Sequence, residues 1–307
     1  MRSDFGVNSA VLLGRGRETL RKDLRFPALV IKVVPGFCVP EGDTIYRAAA
    51  SIRRWLGLRV ITAAESRVAG LNLETLVGRT VEQVEPHGKH LVISFGVHPD
   101  RPNDQPVALH SHMRMSGSWH VYTATAEWQR PKRQAKVILT ADDRLAVCFN
   151  APIISLLEQR EVARATSIGE LGPDVLVDPF NVAEVVTRAR SNRNADAIGE
   201  VLLDQRVVAG IGNIYRCEAL FLEAIHPWTI LRQLSNEQLA AVVSTASTIM
   251  RANIGKAVAR NFGRGENQPW VYGRNGLPCR KCGTIVQARK QGSQARTAYW
   301  CSLCQRV

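Results

Sequence analysis

A multidomain α+β chain in three parts is predicted by three observations. Short β-like runs lie between residues 81 and 149, capped helical runs follow Gly172, and paired cysteines close the C-terminus. The 307 residues suffice for two or three domains with proper cores. No apolar run reaches membrane-spanning length, and residues 28–34 are interrupted by Lys32. Net charge is +13 and the pI is near 9.9, so a polyanionic partner is expected, nucleic acid before an anionic membrane surface.

Taken in order, residues 1–39 fit poorly with the rest. They carry seven Lys or Arg against three Asp or Glu, +4 of the +13, and contain no readable signal peptide. This leader reads as a transit-like arm, a disordered basic tail, or a mis-called start. Val39 immediately precedes Pro40, and valine codons can initiate translation in bacteria. The expected product therefore starts at residue 39 and loses its initiator.

Pro40-Glu41-Gly42-Asp43-Thr44 then opens a helix with Ile45, Ala48, Ala49, Ile52 and Leu56 on one face. Asp43 can cap it, leaving Pro40 and Glu41 on an extended lead-in at the positive end of a helix dipole. Strands are predicted over 81–84 and 89–95 around the turn Pro86-His87-Gly88, then over 107–113, 118–122, 135–140 and 145–149. Their number and spacing predict an antiparallel sandwich or barrel, with residues 99–106 as a mobile loop.

The character changes near Glu170-Leu171-Gly172-Pro173. Helices are predicted from Asp178-Pro179 to Arg190, over 197–203 and over 214–224, the last fed by the turn Gly210-Ile211-Gly212-Asn213. Ser235 and Gln238 form a capping box for a long helix to about Asn253. From Gly263 the chain reads as loop and hairpin.

Cys279-x2-Cys282-x18-Cys301-x2-Cys304 has the spacing of a closed, tetrahedral zinc site, and metal binding would supply the folding energy of so short a tail. Cys38, Cys148 and Cys217 are isolated, which points to a reducing, cytoplasmic setting rather than a disulfide framework. Between the knuckles, Arg289, Lys290 and Arg296 make a basic hairpin suited to phosphates. Glycines at the entrance of a helix, with Asn213 as a side-chain donor, suit an anion as well as an ordinary turn. Lys89 and Met115 are by themselves unremarkable.

Together, Pro40-Glu41-Gly42, Gly88-Lys89, His112 to Gly117, Leu203-Asp204-Gln205-x4-Gly210-Ile211-Gly212-Asn213-Ile214-Tyr215, Val271-Tyr272-Gly273-Arg274 and the four cysteines occur in one order. Residues 40–307 thereby resemble the formamidopyrimidine-DNA glycosylase and endonuclease VIII family of base-excision repair enzymes. The resemblance implies a two-layer β-sandwich with a flanking helix (40–165), a helix–two-turn–helix domain (166–262) and a zinc finger (263–307), with damaged DNA in the cleft. It implies a bifunctional DNA glycosylase and AP lyase in which the amine of N-terminal Pro40 is the nucleophile. An α-amine titrates near neutrality, so this role is chemically reasonable. Glu41 would be the general acid/base, and Lys89 would contact phosphate and assist proton handling. Asn213 and Arg296 would bind phosphates, and Met115 would fill the space left by an everted base. Structural Zn2+ on Cys279, Cys282, Cys301 and Cys304 is expected, with no catalytic metal, no membrane and a monomeric protein.

Three departures from the family pattern shape the expectation. Thr44 stands where many relatives carry a second glutamate. Phe149-Asn150-Ala151-Pro152 replaces the Arg-Arg-Phe-Gly wedge loop of the formamidopyrimidine branch. Residues 261–271 are too few for that branch's lesion-covering loop. The last two favour the endonuclease VIII branch and oxidised pyrimidines. The alternative is a damaged-DNA-binding protein without catalysis, since a Pro40 still joined to Val39 has no nucleophilic nitrogen.

Overall fold

A computed structural model describes residues 39–255, 260 and 268–306. The expectations for the leader and for most of residues 261–271 lie outside the described residues.

Helix α1 (Gly42–Leu56) buries Ile45, Ala49, Ile52 and Leu56, one stripe at helical spacing. Two antiparallel four-stranded sheets follow. One is ordered β1 (Ala63–Ser66), β6 (Ala135–Ala141), β7 (Arg144–Phe149), β5 (Ser118–Thr123). The other is ordered β2 (Val81–His87), β3 (His90–Phe95), β4 (Val107–His112), β8 (Ile153–Glu158). In β6, Val137, Leu139 and Ala141 are buried while the residues between them are partly exposed, the alternation of a strand with one core face. They meet Val84, Leu91, Ile93 and Leu109 of the other sheet, and α1 packs into the same core. The two-layer sandwich with its flanking helix is thus as expected. Strands β1 and β8 were not foreseen: β1 is a four-residue edge strand, and β8 shows no buried alternation.

Strand β3 is buried along its whole length. The short helices α2 (Gln159–Val162) and α3 (Thr166–Gly169) follow β8, and Val162 and Ile168 cover Val92 and Ala108 on the outer face. Within residues 99–106, expected as a mobile loop, Asp104 and Gln105 are bonded to the sandwich. The buried Arg79 donates to Gly96 O at 2.8 Å, Gln105 O at 2.9 Å and the Asp104 carboxylate at 2.9 Å.

The helical part comprises α4 (Val182–Arg193), α5 (Ile198–Val201), α6 (Asn213–Leu222) and α7 (Asn236–Arg251). Helix α4 begins later than predicted because Asn181, not Asp178, caps it, accepting from Glu184 N at 3.0 Å. The box at α7 forms as predicted: Ser235 Oγ accepts from Gln238 N at 3.2 Å and Gln238 Oε1 from Ser235 N at 2.8 Å. The C-terminal hairpin pairs β9 (Val286–Gln291) with β10 (Arg296–Cys301), and Val286 and Cys301 share the core of the helical part with Trp270 and Val271. No helix among the described residues is long and apolar enough to cross a membrane.

Candidate active site and nucleic-acid interface

The site is assembled around the N-terminus of α6. Gly212 stands at its N-cap position and has no side chain to satisfy the first amides. Glu41, 171 residues earlier, does so instead. Its Oε1 accepts from Ile214 N at 2.8 Å, and its Oε2 from Gly212 N at 3.1 Å and Tyr215 N at 3.4 Å. Glu41 is fully buried and its backbone is extended, so the side chain crosses from the sandwich into the helical part. Burial raises its pKa. The charges of Arg260 and Lys89 and the Ile214 N–H oppose that rise, and Asp43 adds to it. A carboxyl balanced in this way can hold or release a proton.

The backbone beside Glu41 is joined to the same turn. Gly42 N donates to Gly210 O at 3.0 Å, and a Cβ at Gly42 would lie 2.9 Å from Met250 Cε. Pro40, next to Glu41 in the chain, is buried as well. Asp43 does not cap α1 as expected. The helix begins one residue earlier, its first amide is taken by Gly210 O, and the buried Asp43 carboxylate faces Arg260. Arg260 donates to Asp43 from Nε at 2.8 Å and Nη2 at 2.9 Å, and from Nη2 to Thr44 Oγ1 at 2.8 Å and Val39 O at 3.0 Å.

Lys89 enters from the turn between β2 and β3. Gly88, with φ +58°, approaches Ala209 so closely that a Cβ would lie 3.1 Å from the Ala209 Cβ. Asp174 fastens this turn, accepting from Gly88 N at 2.7 Å and Leu176 N at 2.9 Å. Lys89 Nζ donates to Ile211 O. Gln205 holds the same turn from within, donating to Ile211 O and accepting from Gly210 N, both at 3.0 Å. Burial lowers the Lys89 ammonium to about 8; Glu41 opposes the shift and Arg296 adds to it.

Asn213, the first residue of α6, donates from Nδ2 to Thr297 O at 2.9 Å and accepts at Oδ1 from the buried Arg216. The adjoining Arg296 directs Nη1 to Met115 Sδ at 3.1 Å. Met115 is half exposed on a tight turn. There His112 Nδ1 accepts from Arg114 N at 3.0 Å, and Arg114 has φ +47°. One set of contacts therefore runs from Pro40 and Glu41 through Lys89 and Asn213 to Arg296 and Met115. Arg289, predicted to face phosphates, is exposed and stacks over Trp228 at 4.1 Å.

The four cysteine sulfurs lie within 4.8 Å of one another, with Cys282 and Cys301 at 3.4 Å. Four thiolates around one zinc at ~2.3 Å need edges near ~3.8 Å, so the cluster fits such an ion. Gln305 anchors it to the helical part, accepting from Cys301 N at 3.0 Å and donating to Ile225 O at 2.9 Å.

Several residues of the site carried no role in the sequence reading. Arg260 and Asp174 sit in segments without a local pattern. Glu218 did leave a signal, the one carboxylate of α6. It is buried and accepts from Trp270 N at 2.7 Å, Val271 N at 3.1 Å and Tyr272 N at 2.9 Å, joining α6 to the approach to the cysteine module.

Comparison with known proteins agrees with this geometry. Residues 39–152 match the sequence model of the formamidopyrimidine-DNA glycosylase N-terminal domain, and residues 171–262 that of its H2TH domain. A Streptomyces coelicolor protein named "Probable endonuclease 8 2" is 38% identical over 273 residues, spanning 87% of this chain and 94% of its own. The Mycolicibacterium smegmatis "DNA-(apurinic or apyrimidinic site) lyase Nei2" is 34% identical over 273 residues, spanning 87% and 99%. Among solved structures, Lactococcus lactis formamidopyrimidine-DNA glycosylase bound to DNA containing an abasic site superposes with a TM-score of 0.71. The match has 23% identity and covers 87% of this chain and all of that one. The chain belongs to the formamidopyrimidine-DNA glycosylase and endonuclease VIII family of DNA glycosylases and AP lyases.

Proposed function

We propose that this chain is a bifunctional DNA glycosylase and AP lyase of endonuclease VIII type, acting on oxidised pyrimidines from a form that begins at Pro40. The observation that carries the reading is the buried Glu41 carboxyl beside Pro40, held by the N-terminus of α6 and within the field of Lys89 and Arg260.

In this reading the Pro40 secondary amine attacks C1′ of the damaged nucleotide. The C1′–N bond breaks, and the electron pair leaves with the base as it takes a proton. The amine gives up its proton and the C1′–O4′ bond opens as O4′ takes one, leaving an iminium between Pro40 and C1′. This electron sink permits loss of the C2′ proton with departure of the 3′-phosphate, then loss of the C4′ proton with departure of the 5′-phosphate. Glu41 transfers protons to and from the sugar, and Lys89, at about 8, can donate one or take one up. Asn213 and Arg296 grip the phosphates beside the everted nucleotide, and Met115 takes its place in the stack. Zinc on Cys279, Cys282, Cys301 and Cys304 holds the hairpin that presents Arg296.

The pyrimidine preference has support in the loop after β7. Asn150 is turned back on the protein, donating from N to Gln134 O and from Nδ2 to Gln134 Oε1, both at 3.0 Å, and Ala151 is buried. That loop offers no arginine to the helix interior, which leaves Met115 as the inserted side chain. The endonuclease 8 2 relative, at 38%, is also nearer in sequence than the formamidopyrimidine-DNA glycosylase of Geobacter sulfurreducens at 31%.

The test compares two proteins of confirmed N-terminal mass, one starting at Met1 and one at Pro40, by borohydride trapping on abasic DNA. Trapping by the Pro40 form alone is expected. Trapping by an intact Met1 form would move the nucleophile to another amine, Lys89 first. If neither form traps, the chain is a binder of damaged DNA or a glycosylase without lyase activity, and the mechanism is wrong.

A further inference from the structure

The register of the β1-β6-β7-β5 sheet places four chain segments at one of its ends. Ser118, the first residue of β5, pairs with Phe149, the last of β7; Ala135, the first of β6, pairs with the same Phe149; and Ser66, the last of β1, pairs with Val137. The Met115 turn, the 150–152 loop, the 130–134 segment and Arg67 therefore share that end. They are also bonded together. Ser116 Oγ donates to Asn150 O at 3.5 Å, a long contact, and Asn150 is held to Gln134 by the two bonds given above. Arg67 N donates to Lys136 O at 2.8 Å and Arg67 Nη1 to Lys132 O at 3.0 Å.

This end is strongly basic. Arg130-Pro131-Lys132-Arg133-Gln134-Ala135-Lys136 holds four cations and no acid, and Arg67 is a fifth. Arg67, Lys132 and Arg133 are exposed, and Arg130 and Lys136 partly so. Among the described residues, none of the five forms an ion pair, although Glu65 and Glu127 are near in sequence and many other arginines of the chain are paired. A cluster of unneutralised cations on a backbone held in place by hydrogen bonds repels itself, and a polyanion relieves that repulsion.

We infer that this end of the sandwich, through Arg67, Lys132, Arg133 and Lys136, binds the backbone phosphates of the strand opposite the lesion. The strand follows from the position of Met115, and the inference rests on the function proposed above. Arg296 meets Met115 directly and leads through Thr297 to Asn213, and on the proposed function this is where the everted nucleotide and its own phosphates go. The basic end is joined to the Met115 turn by a separate route, through Ser116 and Asn150. A side chain inserted into the stack has the damaged strand on one side and the complementary strand on the other.

The experiment uses the triple variant Lys132→Gln/Arg133→Gln/Lys136→Gln in the same protein form as wild type, with zinc content and thermal midpoint matched. Binding to a duplex containing a tetrahydrofuran abasic analogue is measured from low to high salt, beside the same damaged strand alone. The variant should bind the duplex roughly tenfold or more weakly near 0.1 M salt. Its log–log salt slope should fall by about two to three, near 0.9 for each phosphate lost, while single-strand binding changes less than about twofold. Lys132→Arg/Lys136→Arg should bind like wild type. An unchanged duplex slope overturns the inference, and equal losses on duplex and single strand overturn the strand assignment. Wild-type protein with no preference for abasic DNA would overturn the proposed function itself, which separates the two failures.

Discussion

Glu41 lies so close to Gly212 that a Cβ built on that glycine would fall 2.3 Å from the carboxyl carbon, while the Gly212 N–H donates to Oε2 at 3.1 Å. The glycine is needed because a carboxylate occupies the place of its side chain. The proposed acid/base group and the helix turn are therefore one structure. Gly212→Ala should reduce excision at least as much as it reduces stability, and a variant with wild-type turnover would show that this close approach is dispensable.

Glu41→Gln should abolish base excision while leaving DNA binding within a few-fold. The amide keeps one acceptor but turns an N–H2 toward the α6 amides, a loss on the order of 1–3 kcal/mol of stability. Single-turnover excision and a binding titration on the same preparation check this, and retained excision would remove Glu41 from the mechanism.

The Asp43–Arg260 pair is buried, with two charge-assisted bonds at 2.8 and 2.9 Å. Removing Asp43 strands Arg260, at a cost of about 3–5 kcal/mol, while removing Arg260 leaves Asp43 with a longer ion pair to Arg47 at 3.6 Å and should cost less. Asp43→Asn and Arg260→Met should each destabilise, and the double variant should lose clearly less than the sum. Denaturant titration of all four proteins gives the coupling; strict additivity would mean that the pair does not interact.

Glu218 sets a pH dependence. Burial pushes its carboxyl up to about 7 from the ordinary 4.5, against the pull of three backbone N–H groups. The native state thus holds the proton more tightly than the unfolded chain. Stability from this group is highest below about 4.5, falls as pH rises toward 7, and is level above that, a change of about 3 kcal/mol. Burial raises Glu41 in the same direction. Glu218→Gln should flatten the decline between pH 5 and 7, and an unchanged pH profile would assign it to other groups.

Zinc removal should act on DNA binding through Arg296. Chelation, or Cys301→Ser, should melt the hairpin and release both Arg296 from Met115 and Thr297 from Asn213. Affinity for abasic DNA should then fall at least as far as in Arg296→Ala, which should lower the salt slope by about one. A metal assay of pure protein finding no zinc would refute the site.

Some of this was open to local reading. The stripe of Ile45, Ala49, Ile52 and Leu56, the alternation in β6 and the Ser235–Gln238 box are set by residues within one turn or one strand of each other. The four cysteines work the same way, because two knuckles and a hairpin bring them together. Each order-specific motif could be placed on a turn or helix start, and the resemblance could attach an expected role to each.

What the sequence determined alone was therefore the kind of the longer, regularly patterned elements, the cysteine module and the family. What only the tertiary structure decided was who answers whom. Asp43 had the right side chain to cap α1, yet Gly210 O took the first amide and Arg260, 217 residues away, took the carboxylate. Glu41 caps a helix that begins 172 residues later. Arg67 belongs with Lys132 and Lys136 through sheet register alone. Hydrogen bonds and charges act over a few ångströms of space whatever the separation along the chain, and only packing the sandwich on the helices sets those distances.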